Sequence, residues 1–262
     1  MTRPITHAGH IAYGRNRFCG ADVFDTLART VVTPTDLLMR AFGARALDDA
    51  DREVLRAVAL ALTSPDARVW PLKLTRVLAS HGNPYAGFYG AQLASFTELI
   101  GPNAGASAAR ALATISAEVD DPADVAHVDA VIARYLEPRP IIGGFGVPFR
   151  EEDERLVELE RLLAGHPITI RKPWLLSHAL RRALLRRSDL RPNVVSPLAA
   201  IALDLSIAPH RAGMFISVMM THTFAAHALE ACDLDTELLR EIDVSHIDYR
   251  GRAPRRSSGP RR

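Results

Sequence analysis

The sequence predicts an all-α fold, and three observations carry that expectation. Apolar residues recur at helical spacing through most of the 262 residues, strand-like segments are few, and one stretch, residues 210–232, is apolar nearly all round. A helix that is apolar on every side belongs inside a core. Many helices around one such element point to a globular helical fold rather than an up-and-down bundle.

The elements are taken in chain order. "ALDDADREVLRAVALALTS" offers Asp48 or Asp49 as N-cap and places Val54, Leu55, Val58, Leu60 and Leu62 on a face expected to be buried. "WPLKLTRVLASHG" is a second helix, stopped at Gly82 and Pro84. "GASAARALATISAEV" is alanine-rich, so another backbone can approach it closely. "DPADVAHVDAVIARYLEP" has Asp121 as cap, Pro122 in its first turn and Pro138 as stop. "REEDERLVELERLLAG" starts with acids, which favour a helix N-terminus, and ends at Gly165. "KPWLLSHALRRALLRR" and "SPLAAIALDLSIA" precede the central apolar helix. "PITIRK" is the best strand signal.

Composition excludes several classes. With 48% hydrophobic and 24% charged residues, the chain reads as ordinary globular protein. No apolar run reaches the ~18 residues that would span a bilayer, and "MTRPITHAGHIAYGR" lacks the apolar core of a secretory signal. Cys19 and Cys232 are the only cysteines, too few and too far apart for a disulfide framework or a zinc spacing. A reduced, cytoplasmic protein is expected. The ten histidines show no ligand spacing, so no metal site is expected. The net charge of +2 includes six arginines in the tail "RGRAPRRSSGPRR"; removing those six charges leaves the body at −4. Residues 252–262 read as a basic, disordered tail. The body has no basic stripe with interleaved aromatics, which argues against nucleic-acid binding.

One stretch suggests a site. In "IIGGFGVPFREEDER", Gly143, Gly144 and Gly146 permit a tight turn and a close backbone approach to a ligand. The loop then presents Val147, where a ligand-touching loop would be expected to carry a reactive side chain. A plain helix-to-helix turn is the alternative reading.

Several fragments in a shared order resemble the citrate synthase family, which includes citryl-CoA lyases. "CGADVFDTLAR" resembles that family's Arg-Gly-Tyr-Asp segment, keeping Gly20 and Asp22. "LTRVLAS" is similar to its Ala-Arg-Val-Val-Ala-Ser helix, and "IGPNAGASA" to its Gly-Pro-Leu-His-Gly-Gly-Ala-Asn turn. The glycine loop resembles Gly-Phe-Gly-His with a basic residue and Asp-Pro-Arg after it. "RPNVVSPLAAIALDLSIAPH" resembles Pro-Asn-Val-Asp and the adjoining helix. "FAAHALEA" is close to a Trp-Ile-Ala-His helix, and "YRG" at 249–251 matches a C-terminal Tyr-x-Gly.

The resemblance implies a chemistry. Joining acetyl-CoA to a 2-oxo acid removes a proton beside a thioester, which takes a carboxylate base and hydrogen-bond donors where charge develops. The family uses an aspartate and two histidines, with arginines holding carboxylates bidentately. Here the corresponding positions fall on Ala104, Val147 and Val195, none of which can move a proton or donate from its side chain. A further expected histidine falls near Asp66, and an expected arginine falls on Met220. Arg155 matches a carboxylate-binding arginine, Arg150 a position that meets CoA phosphates, and the backbone of Gly144, Phe145 and Gly146 can contact a thioester or an adenine edge. Asn103, Ser196 and His222, with Ser107 nearby, are the candidates for any replaced catalytic group. His227, in an apolar helix, reads as a hydrogen-bonded core histidine.

The resemblance also implies a large helical domain of residues 1–101 and 196–262, a small domain of 102–195 closing over a cleft, and a homodimer packed through helices near 86–116 and 211–232. Two functional expectations result. One is an acyl-CoA-binding protein whose carbon–carbon chemistry, if any, uses non-standard residues, with no covalent cofactor and with a small carboxylate as second ligand. The other is a non-catalytic regulatory or binding partner of an active paralogue.

Overall fold

The computed structural model describes residues 6, 8–12, 15–63, 66–96, 101–138, 142–146, 152–188, 191–234 and 243–252. It opens with a small antiparallel sheet that the sequence pattern did not announce: β1 (Gly9–Ala12), β2 (Arg15–Phe18) and β3 (Ala21–Asp22), in that order. β1 and β2 run from Gly9↔Phe18 to Ala12↔Arg15. Cys19 and Gly20 turn β2 into β3 with positive φ at both (45° and 81°), the backbone of a tight two-residue hairpin. Strands this short carry too few residues for period-two alternation to stand out.

Helices make up the rest. Asp22 accepts from the Phe24 and Asp25 N–H groups and starts a wide turn leading into α1 (Ala28–Thr30). α2 (Pro34–Phe42) has a capping box formed by Thr33 and Asp36, and it ends at Gly43 in the left-handed region. Arg40 of α2 donates to the carbonyls of Phe18 and Cys19, which ties the hairpin to the helical body. α3 (Asp49–Ala61) is capped by Asp48, one of the two expected caps. Val54, Leu55, Val58 and Leu62 are buried as expected, but Leu60 is 49% exposed. Its phase is the reason: Val54, Val58 and Ala61 lie along one face at steps of four and three, and residue 60 points off it.

Next in the chain come α4 (Trp70–Ala79), α5 (Ala91–Ala94), α6 (Pro102–Glu118), α7 (Val125–Leu136), α8 (Glu154–Leu162), α9 (Lys172–Ser188) and α10 (Val195–Asp204). α7 is capped by Asp124, which accepts from the His127 N–H; the expected cap, Asp121, binds the Ala123 N–H in the preceding turn instead. "PITIRK" is no strand. Pro167–Ile170 form a single 3₁₀ turn, held by His166 Nδ1 accepting from the Ile168 N–H, with Pro167 at its first position. A local side-chain cap and a proline's fixed φ outweigh the β preference of two isoleucines.

The apolar stretch expected as one helix is two, α11 (Ala212–Met219) and α12 (Thr221–Asp233), after a short turn at Pro209–Arg211. Met220 leaves the helical region (φ −106°, ψ 6°). The hydroxyls there bond to backbone carbonyls, Thr221 to Val218 and Thr223 to Leu62, and such bonds compete with the helical ladder. Residues 209–233 are long and apolar enough for a bilayer span by length and composition alone, but half of the apolar window is buried within the protein.

The main core gathers residues from α2, α3 and α6 to α11, with Phe42 and Phe215 meeting edge to face at 6.3 Å. A smaller cluster forms where α4 meets α12, around Leu72, Ala91 and Phe224. α6 packs closely on α10 and α11 through small residues. A Cβ on Gly213 would collide with the Pro102 carbonyl, and one on Gly105 with Ile216.

Two arginines and two aspartates pin α3 to the ends of α9 and α10. Arg45 grips Asp51 with two bonds (2.5 and 2.7 Å), and Arg171 bonds Asp204 at 2.5 Å. Asp51 is buried (2% exposed) and doubles as the third residue of the α3 capping box. Burial pushes its carboxyl pKa up, but the Arg45 bond and charge, the Asp48 N–H and the Arg171 charge together hold it below its ordinary value of 3.8. A depressed folded pKa contributes stability above the unfolded value and loses it as pH falls through the folded one. Asp51→Ala is therefore expected to cost about 3 kcal/mol at neutral pH, because it removes the two-bonded partner of Arg45 and the acceptor of the Asp48 N–H, leaving Arg45 only its longer contact to Asp204 and two carbonyls. Urea unfolding should show this cost shrinking as pH falls below about 4, where the carboxylate of the unfolded chain protonates, and ending once pH passes the lower folded value.

Candidate functional site

The glycine loop lies between the N-terminal ends of two helices. α6 starts sharply: Gly101 takes φ 74° and Pro102 occupies the first helical position. Gly143 packs directly on that first turn, where a Cβ would lie 2.6 Å from the Ala104 carbonyl oxygen. The Gly143 N–H donates to Ser107 Oγ at 3.3 Å. Gly144 (φ 92°) sits against Ala108 and the Ser196 backbone. Only glycine fits here, on both space and φ.

The loop's other edge is stitched to the segment before α10. Phe145 pairs with Pro192 in an isolated antiparallel bridge. The Gly146 N–H donates to the Arg191 carbonyl (2.8 Å), and the Asn193 N–H to the Gly144 carbonyl (3.3 Å). Asn193 does two further things: its Nδ2 donates to the Gly146 carbonyl (3.1 Å), and its Oδ1 accepts the Val195 N–H (3.0 Å). One side chain thus fixes the loop and begins α10. Among the described residues, nothing lies within 4 Å of a Cβ built on Gly146.

Asp153 completes the frame. It is buried (2% exposed), receives the Val194 N–H at 2.8 Å, and holds Arg155 with two bonds of 2.8 and 2.9 Å. A carboxylate at the N-terminal end of α10 also suits the helix dipole. Burial alone would raise the Asp153 pKa, but the bonds and charge of Arg155 and the Val194 N–H hold it below the ordinary value. Arg155 is consequently held through Nε and Nη2, with its side chain 37% exposed.

The expected site residues separate into groups. Ala104 is buried in the α6 turn, and Val195 is half-buried at the start of α10. Together with Asn103, which is exposed, they flank the glycine loop. Ser196 is 1% exposed, and its hydroxyl bonds Ser177 Oγ at 3.0 Å, so it points into the core. His222 is exposed at the start of α12, with Nε2 2.7 Å from Thr63 Oγ1. Thr63 already donates to the Ala59 carbonyl, so its oxygen accepts and the His222 proton sits on Nε2. Asp66 is gripped by Arg68. His227 is buried, its Nδ1 3.4 Å from Arg76, which also pairs with Glu230. Val147 and Arg150 lie outside the described residues, as do residues 253–262 of the tail.

Sequence reasoning missed Asn193 and Asp153. For Asn193 a signal existed, since an asparagine just ahead of an apolar helical run is a helix-start residue. For Asp153 the sequence offers only its place two residues before Arg155. Its bond to Val194 crosses 41 positions of chain.

Known structures with the same arrangement of helices show which fold this is. The citryl-CoA lyase of Hydrogenobacter thermophilus superposes with a TM-score of 0.78 at 16% identity, covering 97% of this chain and 96% of that one. This is a divergent citrate synthase-family fold. The ATP citrate lyase of Methanothrix soehngenii, solved with citrate and coenzyme A, matches at a TM-score of 0.72 and 15% identity. This chain spans 42% of that longer protein and is itself covered to 97%. A citrate synthase from a thermophilic archaeon, Thermoplasma acidophilum, solved with carboxymethyl coenzyme A and oxaloacetate, matches at 0.60 and 16% identity, over 86% of this chain and 59% of that one. No protein-family model matches the chain, and no curated protein matches it in sequence. The all-α citrate synthase-like expectation therefore holds at the level of the fold.

Within this fold the Ser177–Ser196 bond gives a clean test of a structural hydroxyl. Ser196→Ala leaves Ser177 buried without that partner and is expected to cost about 1–2 kcal/mol. The double change Ser177→Ala/Ser196→Ala should cost less than the sum of the single changes, because it removes both polar groups together. Chemical denaturation of the four proteins measures the difference.

Proposed function

We propose that this protein binds a CoA thioester against the glycine loop, and that any carbon–carbon bond formation or cleavage there proceeds without the histidine and aspartate side chains the resemblance leads one to expect. One observation carries the reading. The frame of loop 142–146, Asn193 and Asp153–Arg155 is fully built, while positions 104 and 195 beside it carry hydrocarbon. A frame this constrained, with Gly144 and Gly146 at positive φ and no room for a Cβ on Gly143, needs glycines at set positions, which a mere connector does not. Arg155, aligned by Asp153, supplies a planar fork for a small carboxylate. The two matching structures that contain coenzyme A or its carboxymethyl derivative support the ligand class.

A second reading draws on a different feature. Tyr85, Tyr89, Leu93 and Phe96 are exposed at helical spacing on the segment 84–96, which bears no charged residue. Such an apolar stripe suits a protein partner, either a second copy of this chain or an active paralogue. On this reading the chain is a regulatory pseudoenzyme.

Calorimetry with CoA, acetyl-CoA and citryl-CoA tests the first proposal. Binding is expected, with Arg155→Ala weakening citryl-CoA about tenfold, or ~1.4 kcal/mol, and leaving CoA nearly unchanged. No binding of any of the three at millimolar concentration overturns it. Turnover of citryl-CoA that vanishes in Arg155→Ala would exclude the pseudoenzyme reading.

A further inference from the structure

Away from the glycine loop, α7 and α9 enclose a cavity of about 270 Å³. Its floor is apolar: Trp174, Val128 and Ala179 are buried there, and the exposed side chains of Val125 and Leu175 form its walls. Three polar groups reach it. Arg182 is exposed and forms no ion pair among the described residues. His178 stands beside Trp174, ring centroids 5.5 Å apart. Thr169 is at the far end, its hydroxyl donating to the His166 carbonyl. The cavity's one carboxylate, Asp129, is paired with Arg186 at 3.4 Å.

The imidazole of His178 is fixed by its surroundings. Arg181, only 8% exposed, directs one Nη2 to both Glu160 (2.6 Å) and His178 Nδ1 (2.7 Å). Nδ1 therefore accepts, and the ring's proton is on Nε2. Burial, helped by the charges of Arg181 and Arg182, lowers the His178 pKa to about 4, against a smaller opposing pull from Glu160. The ring is neutral at pH 7, with Nε2 3.6 Å from Glu160 Oε1. The cavity thus combines a guanidinium with no ion pair among the described residues, a neutral imidazole beside Trp174 and a hydrocarbon surface. Its volume lies just under the usual range for small-molecule sites, roughly 300–1,000 Å³, which suits a small ligand.

We propose that this cavity is a binding site for a small organic anion with an apolar body, such as an aromatic or branched-chain carboxylate, whose carboxylate meets Arg182 while its hydrocarbon lies on Trp174. Arg182 faces a largely apolar surface whose lining carboxylate, Asp129, is paired with Arg186, so an anion there gains charge pairing in a partly desolvated place. The site is separate from the glycine loop: His178 and the end of α9 at Ser188 are roughly 15 Å apart along the helix. A ligand bridging α7 and α9 would act on the element that leads into the Arg191–Asn193 stitch.

The test uses the two tryptophans of the chain. Trp70→Phe leaves Trp174 as the sole indole reporter. Phenylacetate is the probe, titrated against Trp174 fluorescence in the full-length protein, with CoA binding measured in parallel. A saturable change is expected, at least tenfold weaker in Arg182→Ala and weaker for the uncharged phenylacetamide. CoA affinity should be the same in Arg182→Ala as in its parent. No saturable change at millimolar phenylacetate overturns the proposal. Equal binding in Arg182→Ala also overturns it, because the anion would then not be read by that guanidinium. Because CoA is measured separately, failure of this site and failure of the glycine-loop reading are distinguishable.

Discussion

The geometry of the candidate cleft depends on one buried carboxylate. Asp153 receives a backbone N–H from the start of α10 and a two-bonded grip from Arg155. Without it a helix end would lack an acceptor and an arginine its direction. Burying a charge is tolerable only when its attraction and hydrogen bonds repay the lost hydration. The depressed pKa of Asp153 shows that here they do. The same residue thus stabilises the fold and fixes the direction of Arg155.

Around that point the protein is assembled by close approach. Gly143 lies on the Ala104 carbonyl and Gly213 on the Pro102 carbonyl, each at a backbone distance that admits no side chain, while Gly105 faces the side-chain tip of Ile216. α6 can therefore touch the loop and α11 at once, with α10 packed alongside. The alanine-rich composition of α6 extends the effect along the helix. A core of this kind is intolerant of added volume, because backbone atoms cannot move aside as a side-chain tip can.

The loop and the helix starts beside it are held by main-chain bonds together with the side chains of Ser107, Asn193 and Asp153. Ala104 and Val195, which flank the loop, take part in none of these through their side chains, because hydrocarbon neither donates nor accepts. Fold likeness at 16% identity fixes the architecture and leaves the reaction to experiment.

The sequence by itself determined the helical class, the main helices, the Asp48 cap and the glycine turn, because each rests on local preferences of neighbouring residues. It also determined what Ala104 and Val195 cannot do, since that is a property of the side chains alone. Tertiary structure decided the rest. The apolar stretch broke at Met220 because Thr223 found a partner at Leu62, far away in the chain. Leu60 was left outside because its neighbours at 54, 58 and 61 set the buried face. Ser196, a candidate reacting group in sequence, became a core hydroxyl once Ser177 stood 3.0 Å away. Contacts between residues distant in sequence leave no periodic trace, so only the folded chain could reveal that Asp153, Asn193 and Gly143 belong to one site.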